Sequence, residues 1–214
     1  MQIWWPQHVF AVMHERDLVL LDIRQNSYFV LPNAEAQIAL DADASGAVLL
    51  DAELAAELLQ SGLAAANAGP PSGLRVLPPA PMGDLFDRAA GPLQAGDISS
   101  FLVALAGMAW RYKLAPLRGL VRERPAAVPL SPSAETTRRS VAFRRLLPWA
   151  PFQGQCLYRA ALLRDWIGRG DESVRWVFGV STWPFAAHCW LQAGDLVLND
   201  RLSHVRRYSR LMAA

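Results

Sequence analysis

The first thirty residues hold short apolar runs parted by polar turns, and a helical period follows. Trp4 to Met13 predicts a β-strand of irregular alternation, then a turn at His14–Asp17 and a strand over Leu18–Asp22. Arg24–Ser27 (RQNS) reads as a turn, and Tyr28–Leu31 as a third short strand of aromatic and β-branched residues. Pro32-Asn33 ends the sheet, with Asn33 placed to cap a helix over Ala34–Leu40. Asp51 caps a second helix whose Leu54, Leu58 and Leu59 share a face, with Gly62 near its end. A small three-stranded sheet with short helices is the expectation for this part.

Residues 67–83 are dense in Pro and Gly and read as a linker. Asp84 to Lys113 is mainly helical in pattern, with a break near Gly91-Pro92. Ala115 to Pro132 carries four prolines and is long for a structureless loop, so it is either mobile or a functional cover. Ser133 opens a helix to about Leu147, and Pro148 ends it. A further helix starts close to Cys156 after the turn Gln153-Gly154-Gln155 and stops at Gly168 and Gly170. Val174–Val180, His188–Gln192 and Leu196–Asp200 are strands. The fold class is therefore α+β, with residues 1–66 and 84–214 as two units.

Charge supports that division. Residues 1–66 hold nine acids and two bases, 2 − 9 = −7, while the remainder holds 19 bases and 10 acids, +9. A net negative first unit argues against binding nucleic acid, whose affinity comes largely from neutralised phosphates. The chain is 52% hydrophobic, yet its longest apolar run, Ile98 to Trp110, falls short of the roughly 20 residues of a membrane span. The start MQIWWPQHVF has no secretory pattern, and two cysteines are too few for a disulfide framework. A cytoplasmic setting is expected.

The candidate chemistry lies in PFAAHCWLQAGDLVLND, Pro184 to Asp200. A hairpin turning around Gly194 sets His188 six residues before the turn and Asp200 six after it, opposite each other on one face. A carboxylate there can accept Nδ1–H of the imidazole and favour its cation. Cys156, at a helix start, is placed to be a thiolate, because the free N–H groups and the dipole there stabilise negative charge. The Cys156 N–H, with Gln153 or Gln155, is the candidate oxyanion site. Singly, a Cys in a helix or a His in a strand is more often structural; the combination reverses the preference. Cys189 alternates away from His188 and reads as core, and His8, His14 and His204 carry no assigned role. No metal site is expected, since there is no C-x₂-C pair and adjacent strand residues point apart. Arg138, Arg139, Arg144 and Arg145 read as a solvated helix face, and Trp4, Trp5, Tyr28 and Phe29 as small-domain core.

The segments QCLYRAALLRDW, VRWVFGV and PFAAHCWLQAGDLVLND resemble the leader peptidase of lasso-peptide biosynthesis, the B protein. The resemblance runs from Gln155 to Tyr208. It implies a transglutaminase-like, papain-like cysteine-protease domain with a triad falling on Cys156, His188 and Asp200. LVLLDIRQNSYFVLP, Leu18 to Pro32, is similar to the winged-helix-like element that binds leader peptides in such pathways. There the leader adds a strand beside the third strand, here Tyr28, Phe29, Val30 and Leu31, with Leu54 and Leu58 as pocket walls or ordinary core.

The implied activity is removal of the leader from a lasso precursor. The new amine then passes to an ATP-dependent, asparagine-synthetase-like cyclase, the C protein. This chain has no Gly-rich phosphate loop, and no cofactor is expected. Three other readings stay open: acyl transfer to an amine at the same site, a non-catalytic leader-binding protein, and a zinc hydrolase.

Overall fold

The structure, a computed structural model, describes residues 1–39, 47–70, 72–114, 131–150, 155–168 and 171–214. Gln153 and the proline-rich segment 115–130 fall outside the described residues. The fold is mixed α and β. Its main sheet has five strands in the order β11-β8-β9-β10-β7, comprising Ser209–Ala213, Val174–Ser181, Ala186–Ala193, Leu196–Val197 and Gly83–Asp84. β7 runs parallel to β10, and the other neighbours are antiparallel.

Side-chain alternation gives this sheet two different faces. Trp176, Phe178 and Val180 of β8 and Cys189, Leu191 and Ala193 of β9 enter the main core. There they meet α2 (Asp97–Leu114), α3 (Ala134–Leu146) and α4 (Cys156–Ile167) through Phe101, Phe143, Leu162 and Trp166. Val177, Trp190 and Val197 point the other way, onto Val205 of a short helix α5 (Leu202–Val205). Gly179 sits where three groups crowd it. A Cβ there would lie 3.0 Å from Tyr208 Cβ and 3.1 Å from both the Ser209 carbonyl and the Trp190 ring.

The first part of the chain forms two small sheets and one α-helix among its described residues. β1 (Gln2–Trp4), β6 (Ala47–Leu50) and β5 (Ile38–Ala39) make one sheet. β2 (Val9–His14), β3 (Asp17–Asp22) and β4 (Ser27–Leu31) make the other. The single strand expected over Trp4–Met13 is thus two strands, parted around Pro6, whose carbonyl accepts the Val9 N–H. The helix expected over Ala34–Leu40 is a 3₁₀ turn, Ala34–Gln37, that runs into β5. Asn33, with φ 54°, makes no side-chain cap bond. Asp51, by contrast, caps α1 (Ala52–Gln60) by accepting the Glu53 N–H at 2.9 Å.

Every residue of β3 is buried. Leu18 and Leu20 face a small core with Ile3, Trp5 and Leu58, while Val19 and Leu21 join Phe10 in the main core. The two parts of the chain therefore share the main core. Residues 72–84 run along both of them: Arg75 donates to the carbonyls of Trp5, Pro6 and Val9 at 2.9, 2.8 and 3.0 Å, and β7 closes the main sheet.

Three further expectations are corrected. The helix expected from Asp84 begins at Asp97, a buried carboxylate held by both terminal nitrogens of Arg138 at 2.8 and 2.9 Å. The basic face of α3 is not merely solvated. Arg138 pairs with Asp97 and Glu135, Arg139 donates to the Trp166 carbonyl, and Arg144 lies over Phe86 at 4.5 Å. The strand expected over Leu196–Asp200 ends at Val197, and α5 and β11 were not foreseen.

Candidate active site

The early end of β10 creates the site. The hairpin register pairs Ala193 with Leu196 and Gln192 with Val197, so its centre lies between Gly194 and Asp195, not on Gly194. On that register Asp200 would face Cys189, and the cross-strand argument for His188 fails by one residue. The pair forms by another route. Leu198 N–H still donates to the Leu191 carbonyl at 2.9 Å, but the Leu191 N–H goes to Asn199 Oδ1 at 2.8 Å, and the chain leaves the ladder there. Asp200 then meets His188 from the bend before α5, with Oδ2 2.6 Å from Nε2. The nitrogen facing the carboxylate is Nε2, where Nδ1 was expected.

With β10 ended, the edge of β9 at residues 188–189 has no strand partner on that side among the described residues, and α4 packs against β9. The Cys156 thiol pKa falls to about 4 despite burial, lowered by hydrogen-bonding interaction with the Cys189 thiol, then with His188 and the Cys189 main chain. Cys189 is a core residue, as its alternation implied, but it is also a neighbour of the reactive sulfur. Its own thiol is pushed well above the usual range by burial and by Cys156. Burial opposes the His188 cation; bonds to Asp200 and Cys156 and their charges outweigh it and raise the pKa to about 9. Asp200 is opposed by burial likewise, yet His188 and the Arg201 N–H hold it down to about 2. These directions together describe a thiolate beside an imidazolium with a carboxylate behind it.

His188 and Asp200 are thus brought together, and Cys189 and His188 are the groups that lower the Cys156 pKa. Gln155 is exposed and immediately precedes α4. Of the expected leader contacts, Tyr28, Phe29, Val30 and Leu31 are half-buried on β4, an edge strand with no strand hydrogen-bonded to its outer side among the described residues. Tyr28 packs on Phe185 with ring centroids 5.4 Å apart, and its hydroxyl pKa is pushed up to about 12 by burial and by Cys189 and Cys156. Leu54 and Leu58, read as pocket walls or ordinary core, are both buried in the small core.

His204 was passed over in the sequence and stands in the site, with Nδ1 3.1 Å from both carboxylate oxygens of Asp200. The signal that would have found it is the spacing Asp200-x₃-His204-x₃-Tyr208, one face of a helical stretch. His188, Asp200 and His204 each offer one ligand atom, all within 4.8 Å, a donor set that a divalent transition ion can take.

A family model described as the transglutaminase-like superfamily matches residues 100–213. No curated protein and no solved structure gives a significant match.

Proposed function

This chain belongs to the transglutaminase-like superfamily, and on that premise we propose that it is a cysteine peptidase that binds the leader of a ribosomally made lasso-peptide precursor and cleaves it from the core peptide. The observation that carries the reading is the Cys156 thiol, made acidic by Cys189 and His188, with Asp200 bonded to the far nitrogen of the imidazole. The membership itself supports cysteine-protease or acyltransferase chemistry.

The thiolate attacks the carbonyl of the last leader residue, and the carbonyl π electrons move to oxygen. The main-chain N–H groups at the start of α4 are positioned by type to stabilise that oxyanion. As the tetrahedral centre collapses, the peptide C–N bond breaks. His188 gives its proton to the departing amine, which becomes the new N-terminus of the core. Neutral His188 then takes a proton from water, whose oxygen attacks the thioester carbon. Collapse breaks the C–S bond, freeing the leader acid and restoring the thiolate with its imidazolium partner. Asp200 orients the ring and stabilises its cation throughout.

The leader docks as an added strand on β4, where unpaired main-chain groups supply the ladder and Tyr28 to Leu31 the side-chain contacts. The freed core amine goes to an ATP-dependent cyclase. The test is to incubate the purified protein with a lasso precursor peptide and to weigh the products. Free leader acid plus intact core peptide is expected, and Cys156→Ala abolishes both. A leader mass matching an amide of an added amine would make the enzyme an acyltransferase. Cleavage at the normal rate by Cys156→Ala would remove the reading.

A further inference from the structure

We propose that His204 and Tyr208 are positioning residues that hold Asp200 from behind, making a five-member relay of Tyr208, His204, Asp200, His188 and Cys156. The inference rests on the cysteine-nucleophile reading above and goes beyond its three residues.

The hydrogen-bond donors allow one consistent arrangement. An ionised carboxylate only accepts, so each nitrogen that faces Asp200 carries a proton. That makes His188 Nε2, 2.6 Å from Oδ2, and His204 Nδ1, 3.1 Å from both oxygens, the donors. The Arg201 main-chain N–H completes the set at 2.7 Å from Oδ1. In neutral His204 the remaining nitrogen, Nε2, is an acceptor, and the Tyr208 hydroxyl stands 3.4 Å from it. Tyr208 therefore donates to His204, fixing the tautomer that donates to Asp200. From Tyr208 through His204 each donor points toward Asp200, and His188 donates to the same carboxylate from the other side.

The same residues also confine the His188 ring. Its centroid lies 4.6 Å from that of His204, 5.1 Å from Tyr208 and 6.0 Å from Trp190, the last stacked at 24°. Asp200 follows the last residue of the ladder by three positions and has no strand to hold it. His204, one helical turn on, replaces that support.

The test uses the full chain with His204→Ala, His204→Asn and Tyr208→Phe. Asn retains an N–H donor near the place of Nδ1. Two quantities are read: the pH midpoint at which Cys156 becomes reactive to iodoacetamide, located by peptide mapping apart from Cys189, and kcat and KM on the precursor. His204→Ala is expected to move the alkylation midpoint up by about one pH unit and lower kcat about 10-fold with KM unchanged, since outer partners of a catalytic group typically carry effects of that order. His204→Asn recovers most of both, and Tyr208→Phe shows a smaller change in the same direction. An unmoved midpoint and kcat in folded His204→Ala, or an Asn variant no better than Ala, overturns the relay. Should His204→Ala fail to fold, Tyr208→Phe decides, because it keeps the ring and deletes only the donor. If the midpoint moves but the precursor is never cut, the relay stands and the peptide substrate falls.

Discussion

Tyr28 and Phe185 lie with ring centroids 5.4 Å apart, joining the edge strand of the first part of the chain to the loop that leads into the His188 strand. Trp183 in the same loop donates its indole N–H to Asp17 Oδ2 at 2.7 Å, anchoring it to β3. Phe185 is 45% exposed, so its loss opens no deep cavity. Phe185→Ala is expected to weaken leader binding about 2- to 10-fold, the value of an aromatic pair of about 0.5–1.5 kcal/mol. Anisotropy of a labelled leader peptide measures it. Unchanged affinity would separate this contact from the docking strand.

The titration of the pair sets a pH window. Below about 4 Cys156 regains its proton and loses its nucleophilicity. Above about 9 His188 loses the proton that the departing amine must receive. The value of kcat/KM is therefore expected to be level through the neutral range and to fall at both ends, with the two limbs belonging to the coupled pair. An ordinary thiol with a base near 6.5 would instead give a profile rising toward alkaline pH.

The shared interior predicts that residues 84–214 do not fold alone. Phe10, Val19, Leu21 and Leu74 belong to the main core and are missing from that fragment, as is β2, which packs on β11. The fragment should be insoluble or lack a cooperative melt by circular dichroism. Within the full chain, Leu20→Ala should cost about 2–5 kcal/mol, as expected for truncation in a fully enclosed strand. Denaturant unfolding gives that number.

Gly179 is the residue paired with His188. Gly179→Ala places a methyl 3.0 Å from Tyr208 Cβ, and the displaced ring disturbs the cage around His188. A loss of about 1–3 kcal/mol in stability is expected. A fall in kcat larger than the fall in folded fraction is expected with it, read by parallel thermal and kinetic assays.

The His188, Asp200 and His204 donor set calls for a metal test. Cleavage by the thiolate route should persist unchanged after dialysis against a strong chelator. Micromolar zinc should inhibit it reversibly by occupying the nitrogen that His188 presents to Asp200. Loss of activity on chelation, restored by zinc, would transfer the reaction to a metal hydrolase.

Sequence alone determined the local pieces. Asp51 and Ser133 announced helix starts by their capping chemistry, and both caps are made as read. The helix beginning at Cys156, and the β8 and β9 strands, followed from the period of their apolar residues. Those signals are short-range, so one chain of residues contains them. What the tertiary structure decided is where β10 stops. Its early end frees the edge of β9 for Cys156, brings Asp200 onto Nε2 instead of Nδ1, and turns His204 into a partner. The fate of Leu54 and Leu58 and the double burial of β3 were settled there too. Register and edge occupancy depend on contacts between distant segments, and a one-residue slip reverses faces, so no pattern along a single strand contains them.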